Sequence, residues 1–524
     1  MGLHRAHPTG RALPFTALAV PIGELVLQEA AWHPQMVVTP FTGGVSMLRT
    51  AALLSTALVA SCASVPRSPD GEKAITFTSE SGDEVAAFEG TFTVPENRDD
   101  PESRPLTLTY LRFPATEEKN GPPIVYLAGG PGGSGIDAAG GRRFPLFMAM
   151  REFGDVIAFD QRGTGKSSND LPLCRSSQSI STTTATSDTE VVEIQRRAFS
   201  ECLGFWKEEG VDVAGWNTEE NAQDLSDLRR HLGARKISLW GISYGSHLAL
   251  AALKGMDREI NRVVITAIEG LDQTVKLPAR SDAYFDRLQA AIDTVPEARA
   301  KYPDVKGLMR RVLDRLDAEP LLLEIPSRSG GTNPYLLQKR DMQQFTGGLA
   351  ADPARVVLLL RMYEELDAGR TDFIARILSS AVDPTDTTVS YPAMSILMDV
   401  ASGSSPQRSA LIEEQAATAI VGPHLNFSMH LETVDPSLDL GEGFRAAPVS
   451  WVPTLVLSGT LDGRTFPESG LEATRGLQRA QRVTVTNGGH NLFMLSPEVT
   501  ETIADFMRGE DVDGRNIIVD LPDF

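Results

Sequence analysis

Beyond residue 61 the chain has no apolar run approaching the roughly 18 consecutive residues that a membrane-spanning helix requires. Nothing in its body is therefore expected to cross a bilayer. Positive charge is also scarce: 49 Lys and Arg stand against 69 Asp and Glu, a formal net charge of −20. A nucleic-acid partner is excluded on that ground, because phosphate binding needs a basic surface. The acidity is compatible with a substrate that carries positive charge, although acidity more often serves solubility alone. Cysteine occurs three times, as Cys62, Cys174 and Cys202. Only five histidines follow residue 61, namely His231, His247, His424, His430 and His490, and they bound the search for an imidazole base. What remains is ordinary for a globular protein, 41% hydrophobic and 23% charged residues. No internal repeat is present.

The 524 residues suffice for two or three ordinary domains or one large domain with an insertion. Residues 1–61 do not read as fold. From Met47, "MLRTAALLSTALVASC" has one Arg, an apolar run and small residues before Cys62, the plan of a secretory signal. Met47 is expected to be the true start. Val59-Ala60-Ser61-Cys62 resembles the bacterial lipobox, which implies a lipidated Cys62 at the mature N-terminus. A chance cysteine closing an uncleaved anchor helix is the alternative. The expected protein is an exported lipoprotein of the cell envelope that touches the membrane only through its lipid. With Cys62 lipidated, Cys174 and Cys202 remain, and an exported protein with two leftover cysteines invites a disulfide. Two buried thiols are the alternative.

Residues 62–74 are polar and Pro-containing, a short tether. Residues 75–269 read as the first part of an α/β core. Two β segments flank a Pro/Asp/Asn turn in "AAFEGTFTVPENRDDPESRPLTLTYLRFP". "PIVYLAGG" and "DVIAFDQRG" follow as buried parallel strands, whose hydrophobicity is continuous rather than alternating. "TEENAQDLSDLRRHLG" carries acids early, basic residues late and a closing Gly, as a helix does. Residues 270–449 are expected to form a helical cap insertion without strands. Residues 450–510 resume the strand-then-loop rhythm in "PTLVLSGTLDG" and "QRVTVTNGGH" and end in a helix; 511–524 are a tail. The Ser/Thr-rich stretch 176–189 is expected to be a surface loop.

Chemistry concentrates at "KISLWGISYGSHLALAAL", Lys236 to Leu253. An apolar strand, a Gly241-Ile242-Ser243-Tyr244-Gly245 corner and an apolar helix follow one another. Such a corner strains its central residue and lifts the Ser243 hydroxyl above the sheet, as in a nucleophile elbow. A serine hydroxyl needs a base to become a nucleophile. In the α/β-hydrolase arrangement the partners follow in the order Ser, acid, His, each at a strand's C-terminal end. His490, after "TVTNGG", is the one histidine that directly follows a strand, and Asp462 follows "TLVLSGT". A loop histidine and a turn-forming Asp-Gly are the structural alternatives. His247 lies one turn into the helix and reads as structural. Acyl transfer also needs donors for an oxyanion. The N–H of Tyr244 is one candidate, and Gly130 in "AGGPGGSG" the other, because Pro131 has no N–H. The same glycines fit the spacing of a dinucleotide loop, but Gly140-Gly141 breaks the helix that loop requires. "GTGKSS" lacks the leading glycine of a phosphate loop. No cofactor or metal is expected.

"GGPGGSG", "DQRGTGKS", "GISYGS", "GTLDGRT" and "GGHNLF", in this order, resemble the proline iminopeptidase and tripeptidyl aminopeptidase branch of α/β-hydrolases. "FEGTFTVPEN" resembles the N-terminal hairpin of the tripeptidyl type. The resemblance covers roughly residues 85–510 and is weak in the insertion. It implies an α/β-hydrolase fold with a helical cap over the site, and a serine peptidase acting at free N-termini. Two positions depart from the branch: Ala128 stands where His is usual before Gly-Gly-Pro, and Tyr244 where Trp often follows the serine. The resemblance further implies acidic residues near or within the cap that hold the substrate's α-amino group. Candidates are Glu269, Asp399, Glu364 and Glu365, with Glu269 best placed at a strand's C-terminal end. The expected partner is a peptide or small acyl substrate. An ester or lactone hydrolase of the same fold uses the same residues, and a non-catalytic envelope lipoprotein would keep only the fold. Neither oligomeric state nor peptide length is legible.

Overall fold

The computed structural model describes residues 71–117, 121–168, 171–327 and 330–524. The expected leader, residues 1–61, and the expected lipidation site Cys62 lie outside them. Its strands are β1 Lys73–Thr78, β2 Glu84–Pro95, β3 Pro105–Phe113, β4 Ile124–Leu127, β5 Val156–Phe159, β6 Cys174–Ser179, β7 Ile237–Ile242, β8 Ile260–Thr266, β9 Leu321–Pro326, β10 Thr332–Leu337, β11 Thr388–Tyr391, β12 Thr454–Gly459, β13 Ala480–Thr486 and β14 Asn516–Ile518. Among the described residues, ten strands form one sheet in the order β1-β2-β3-β5-β4-β7-β8-β12-β13-β14. The β1-β2-β3 ribbon joins β5 antiparallel, and every pairing from β5 to β14 is parallel.

The apolar strands are continuous because both faces of the sheet are covered. Along β4, Val125 and Leu127 enter one core cluster while Ile124 and Tyr126 enter a second on the opposite face. Leu239 and Trp240 of β7 divide in the same way, as do Val263 and Val264 of β8. Side chains alternate across a strand, so an apolar pair at successive positions feeds both layers. The helices Asp188–Glu208, Thr218–His231 and Tyr244–Gly255 cover the first face, and Phe144–Met150 and Pro497–Arg508 the second. The chain runs from β4 to β5 on one side and later returns to β7 on the other. That reversal opens a crevice at the C-terminal ends of β4 and β7, where α/β sheets bind ligands.

Residues 270–449 enter between β8 and β12. Much of this segment packs on a third apolar cluster, which includes Tyr284, Met309, Leu337, Phe345 and Tyr363. The expectation of an all-helical segment fails. β9 and β10 pair antiparallel with each other, and β11 pairs with β6. "LLLEIP" buries Leu323 and Ile325 while Leu322 and Glu324 face out, an alternation that marks a half-buried strand. Two further corrections follow from pairing. Part of the Ser/Thr-rich stretch is β6, with Ser176 buried and its hydroxyl on the Val389 carbonyl at 2.8 Å. The tail contributes β14, which lengthens the sheet beyond β13. Cys174 of β6 is bonded to Cys202 of the helix Asp188–Glu208, with Cα atoms 5.6 Å apart.

Candidate active site

Ser243 follows β7 directly and precedes the helix Tyr244–Gly255, at φ 55 and ψ −125. A left-handed conformation at a residue with a Cβ costs energy and persists where surrounding structure enforces it. Here the enforcement is close packing at both flanking glycines. A Cβ on Gly241 would lie 2.5 Å from the Gly245 carbonyl oxygen, and one on Gly245 would run into the Leu127 carbonyl. The Ser243 N–H donates to the Thr266 carbonyl of β8 at 3.2 Å. Ser243 is 6% exposed.

Beside it lies the loop after β4, where a Cβ on Gly129 would come 3.0 Å from the Ser243 Cβ. Among the described residues neither the Gly130 nor the Tyr244 N–H donates a hydrogen bond. Tyr244 opens its helix, so its N–H has no acceptor within it. Gln161, from the loop after β5, donates to the Ala128 carbonyl at 3.0 Å. The loop after β5 is thus structural. Asp160 accepts from Ser134 Oγ at 2.6 Å and the Lys166 N–H at 2.8 Å. Buried Arg162 grips Asp224 with two contacts of 2.7 Å.

Asp462 follows β12 and His490 follows β13, two parallel neighbours. The His490 Nδ1 lies 3.2 Å and 3.3 Å from the two Asp462 oxygens. Asp462 is 2% and His490 9% exposed. Asp462 Oδ1 also accepts the N–H groups of Arg464 and Thr465, both at 2.8 Å, and Oδ2 accepts the Thr465 hydroxyl at 2.6 Å. Burial works to raise this carboxyl, but His490 and the Thr465 bonds outweigh it and hold it below the usual carboxylate range. The structure therefore brings Asp462 and His490 together and sets Ser243 on its corner. Among the described residues no hydrogen bond joins the Ser243 hydroxyl to His490, a contact that often tightens only with substrate bound. His247 is buried, its Nδ1 3.1 Å from the Gly270 carbonyl and its Nε2 3.2 Å from Ser402 Oγ.

The four acids fare differently. Glu269 is buried but occupied: Lys276 Nζ lies 2.6 Å from its Oε2. Burial acts to raise it, and Lys276 with His247 draws it below the usual range instead. Glu364 accepts the Tyr302 hydroxyl at 3.1 Å, and Glu365 pairs with Arg370. Both sit at the far end of the helix Pro353–Asp367, roughly 18 Å or more along it from Asp352 at about 1.5 Å per residue. Asp399 is half-buried on the helix Ala393–Ser402, whose Ser395 hydroxyl donates to the Pro131 carbonyl at 2.9 Å. Ser395 and Asp399, four apart, share one helix face.

Two contacts were not legible in the sequence. Thr465 sits between the acid and the imidazole, its Oγ1 3.1 Å from His490 Nδ1; a hydroxyl three residues after the Asp was the available signal. Asp352 accepts the Asn491 N–H at 3.0 Å and its side-chain amide at 2.9 Å, and the Ala351 carbonyl accepts the His490 N–H at 2.8 Å. Asp352 and Asn491 lie 139 residues apart, and no local pattern announces their meeting. A hydroxyl on a strained corner, glycine-bordered N–H donors and a carboxylate-held imidazole are the parts that serine acyl transfer uses.

The family model of the alpha/beta hydrolase fold matches residues 122–497, and the chain belongs to that family. Serine protease Hip1 of Mycobacterium tuberculosis is 30% identical over 185 residues, 34% of this chain and 35% of the relative. The tripeptidyl aminopeptidase of Streptomyces lividans is 26% identical over 196 residues, 34% of this chain and 35% of the relative. The chain thus matches about a third of the length of each of these relatives. Among solved structures, a proline iminopeptidase-related protein from Thermus thermophilus is 16% identical, covers 81% of this chain and 98% of its own, and has a TM-score of 0.36. No helix of the described residues is long and apolar enough to cross a membrane.

Proposed function

We propose that the protein is a serine hydrolase that cleaves amide bonds at peptide N-termini through an acyl-enzyme. In this reading Ser243 attacks the carbonyl carbon while His490 takes its proton. Asp462 orients the imidazole and stabilises its charged form. The N–H groups of Gly130 and Tyr244 receive the oxyanion. His490 returns the proton to the leaving amine, and water then releases the acyl group by the same steps in reverse roles. The observation that carries this reading is the Asp462–His490 pair on adjacent parallel strands of the sheet that bears the strained Ser243. Similarity to proteins named serine protease and tripeptidyl aminopeptidase favours an amide substrate.

Asp399 is the acid we assign to the substrate's ammonium. Its helix touches the oxyanion loop through Ser395, and its charge adds to burial in pushing up the Tyr244 phenol. Burying an ammonium without a carboxylate is costly, so an exopeptidase needs such a group. One observation favours the ester or lactone reading: Glu269, the acid nearest a strand end, is already neutralised by Lys276. A cap role for residues 270–449 and export as an envelope lipoprotein on Cys62 belong to the same proposal. An intact mass of membrane-extracted protein without acyl chains would remove the lipoprotein part.

The central test is labelling. A phosphonofluoridate probe is expected to modify Ser243 alone, and Ser243→Ala to abolish both labelling and turnover. Asp462→Asn and His490→Ala are expected to add nothing to that loss, since such residues act as a unit. Folded Ser243→Ala that still labels or turns over would place the chemistry on another nucleophile, and unsubstituted protein that neither labels nor turns over would leave a binding protein.

A further inference from the structure

Behind the glycine loop two buried amides meet. Gln161 Nε2 donates to the Ala128 carbonyl at 3.0 Å, and Gln161 Oε1 accepts from Asn221 Nδ2 at 2.8 Å. The same Nδ2 lies 3.2 Å from the Tyr244 hydroxyl. Ala128 stands two residues before Gly130, and Tyr244 follows Ser243. One hydrogen-bonded chain therefore links the two segments that bear the candidate oxyanion donors.

The direction of the chain is fixed by chemistry. A backbone carbonyl only accepts, so Gln161 must turn its NH₂ to Ala128 and its oxygen to Asn221. Asn221 must then present its own NH₂, which leaves its Oδ1 buried without a hydrogen-bond partner. Gln161 is 1% exposed and Asn221 fully buried. Apolar residues of the same shape would remove that unsatisfied acceptor but would take the Gln161 donor from the buried Ala128 carbonyl, so the pair leaves the Asn221 oxygen unpaired in order to hold this carbonyl. The surroundings hold both ends. Arg162, next to Gln161, grips Asp224, one turn beyond Asn221 on the helix Thr218–His231. Thr218 Oγ1 and Met398 Sδ, each 3.2 Å from it, flank the Tyr244 hydroxyl.

We propose that Gln161 and Asn221 are positioning residues that set the distance between the Ala128–Gly130 loop and the Tyr244 end of the elbow helix, and so the spacing of the two oxyanion donors. The proposal rests on the reading that these N–H groups receive the oxyanion. Deleting one such donor costs about 10²–10³-fold in kcat, and displacing one by about 1 Å costs up to about 10²-fold.

The test uses Gln161→Met and Asn221→Leu, which keep volume and remove the bonds. With 4-nitrophenyl acetate, kcat is expected to fall by about 10- to 100-fold while KM stays within about twofold. The inhibition constant of phenylboronic acid, which adds to a serine hydroxyl as a tetrahedral adduct, should rise by a similar factor. The double variant should lose no more than the worse single variant. If Gln161→Met does not fold, Asn221→Asp replaces it, because a carboxylate there turns the Gln161 amide away from Ala128. Unchanged kcat in the folded variants, whatever their Tm, overturns the proposal, as does a kcat loss without weaker boronate binding. Ser243→Ala measured alongside separates the two readings. Persisting turnover there refutes the catalytic reading and the positioning role together; lost turnover there, with full kcat in the amide variants, refutes the positioning role alone.

Discussion

Asp352→Ala probes how the inserted segment holds the histidine loop. In the structure the Asp352 carboxylate accepts both the Asn491 N–H and the Asn491 side-chain amide, while Arg143 holds Asn491 from the core side at 3.0 Å. A hydrogen bond to a charged group contributes about 1.5–3 kcal/mol. Asp352 and Asn491 are only half-buried, so water replaces part of each bond and the lower end applies. Two bonds then come to about 3 kcal/mol of stability. Asn491 adjoins His490, whose own N–H is held by the Ala351 carbonyl next to Asp352. Loosening that loop should misplace the imidazole, and a shift near 1 Å costs up to about 10²-fold in rate. The expected result is a lower Tm by thermal denaturation, with kcat on a chromogenic ester down about 10- to 100-fold and KM within about twofold. Asp352→Asn, which keeps one acceptor for the N–H, should recover part of both. A lower Tm with unchanged kcat would refute the coupling between this segment and His490.

Asp399→Asn should lower kcat/KM on free-amine peptides by about tenfold or more, the scale of a charge-assisted hydrogen bond, and leave acetyl ester hydrolysis nearly unchanged; equal losses on both substrates would make the residue structural. Glu269→Gln, by contrast, should lower Tm, because it removes the charge partner of the half-buried Lys276 ammonium and leaves it the Gln273 and Thr274 carbonyls; a loss confined to free-amine peptides would return the amine role to Glu269. Reducing Cys174–Cys202 opens a loop spanned by 28 positions, so the chain-entropy estimate gives a loss of about 3.5 kcal/mol; two thiols titrated in unfolded, non-reduced protein would contradict the bridge. Burial holds His424 down to about 4 and pushes His247 in the same direction, both from an ordinary value of 6.5. At these two sites the unfolded chain binds more protons than the folded one below pH 6.5, so their contribution to stability falls as pH drops towards 4, whereas burial raises Glu432 to about 7 and Asp341 to about 6 and makes these two contribute with the opposite sign. The Tm of His424→Gln relative to the unsubstituted protein should therefore rise from about pH 7 to about pH 5; a difference that does not change with pH would refute the assignment.

The sequence determined the parts of this protein whose physics is local. A serine between two glycines, with the apolar "ISLW" before it and "LALAAL" after it, pointed to a strained strand-to-helix corner. Continuous apolar runs such as "IVYL" and "ISLW" required a sheet covered on both faces, and strand-then-loop order placed Asp462 and His490 at neighbouring strand ends. Tertiary structure decided what depends on distant partners. Whether Glu269 could receive an amine turned on Lys276, seven residues away but folded back upon it. Asp352 reached Asn491 across 139 residues, and Gln161 reached Asn221 across 60. Of the strands in the inserted segment, β9 and β10 pair with each other and carry a local alternation, whereas β11 finds its partner in β6, more than two hundred positions earlier, and a single short strand carries little signal without the neighbour that satisfies its backbone. Hydrophobic period and turn chemistry are written residue by residue, whereas a buried charge or amide takes its role from whichever group the fold brings to it, and no spacing along the chain records that meeting.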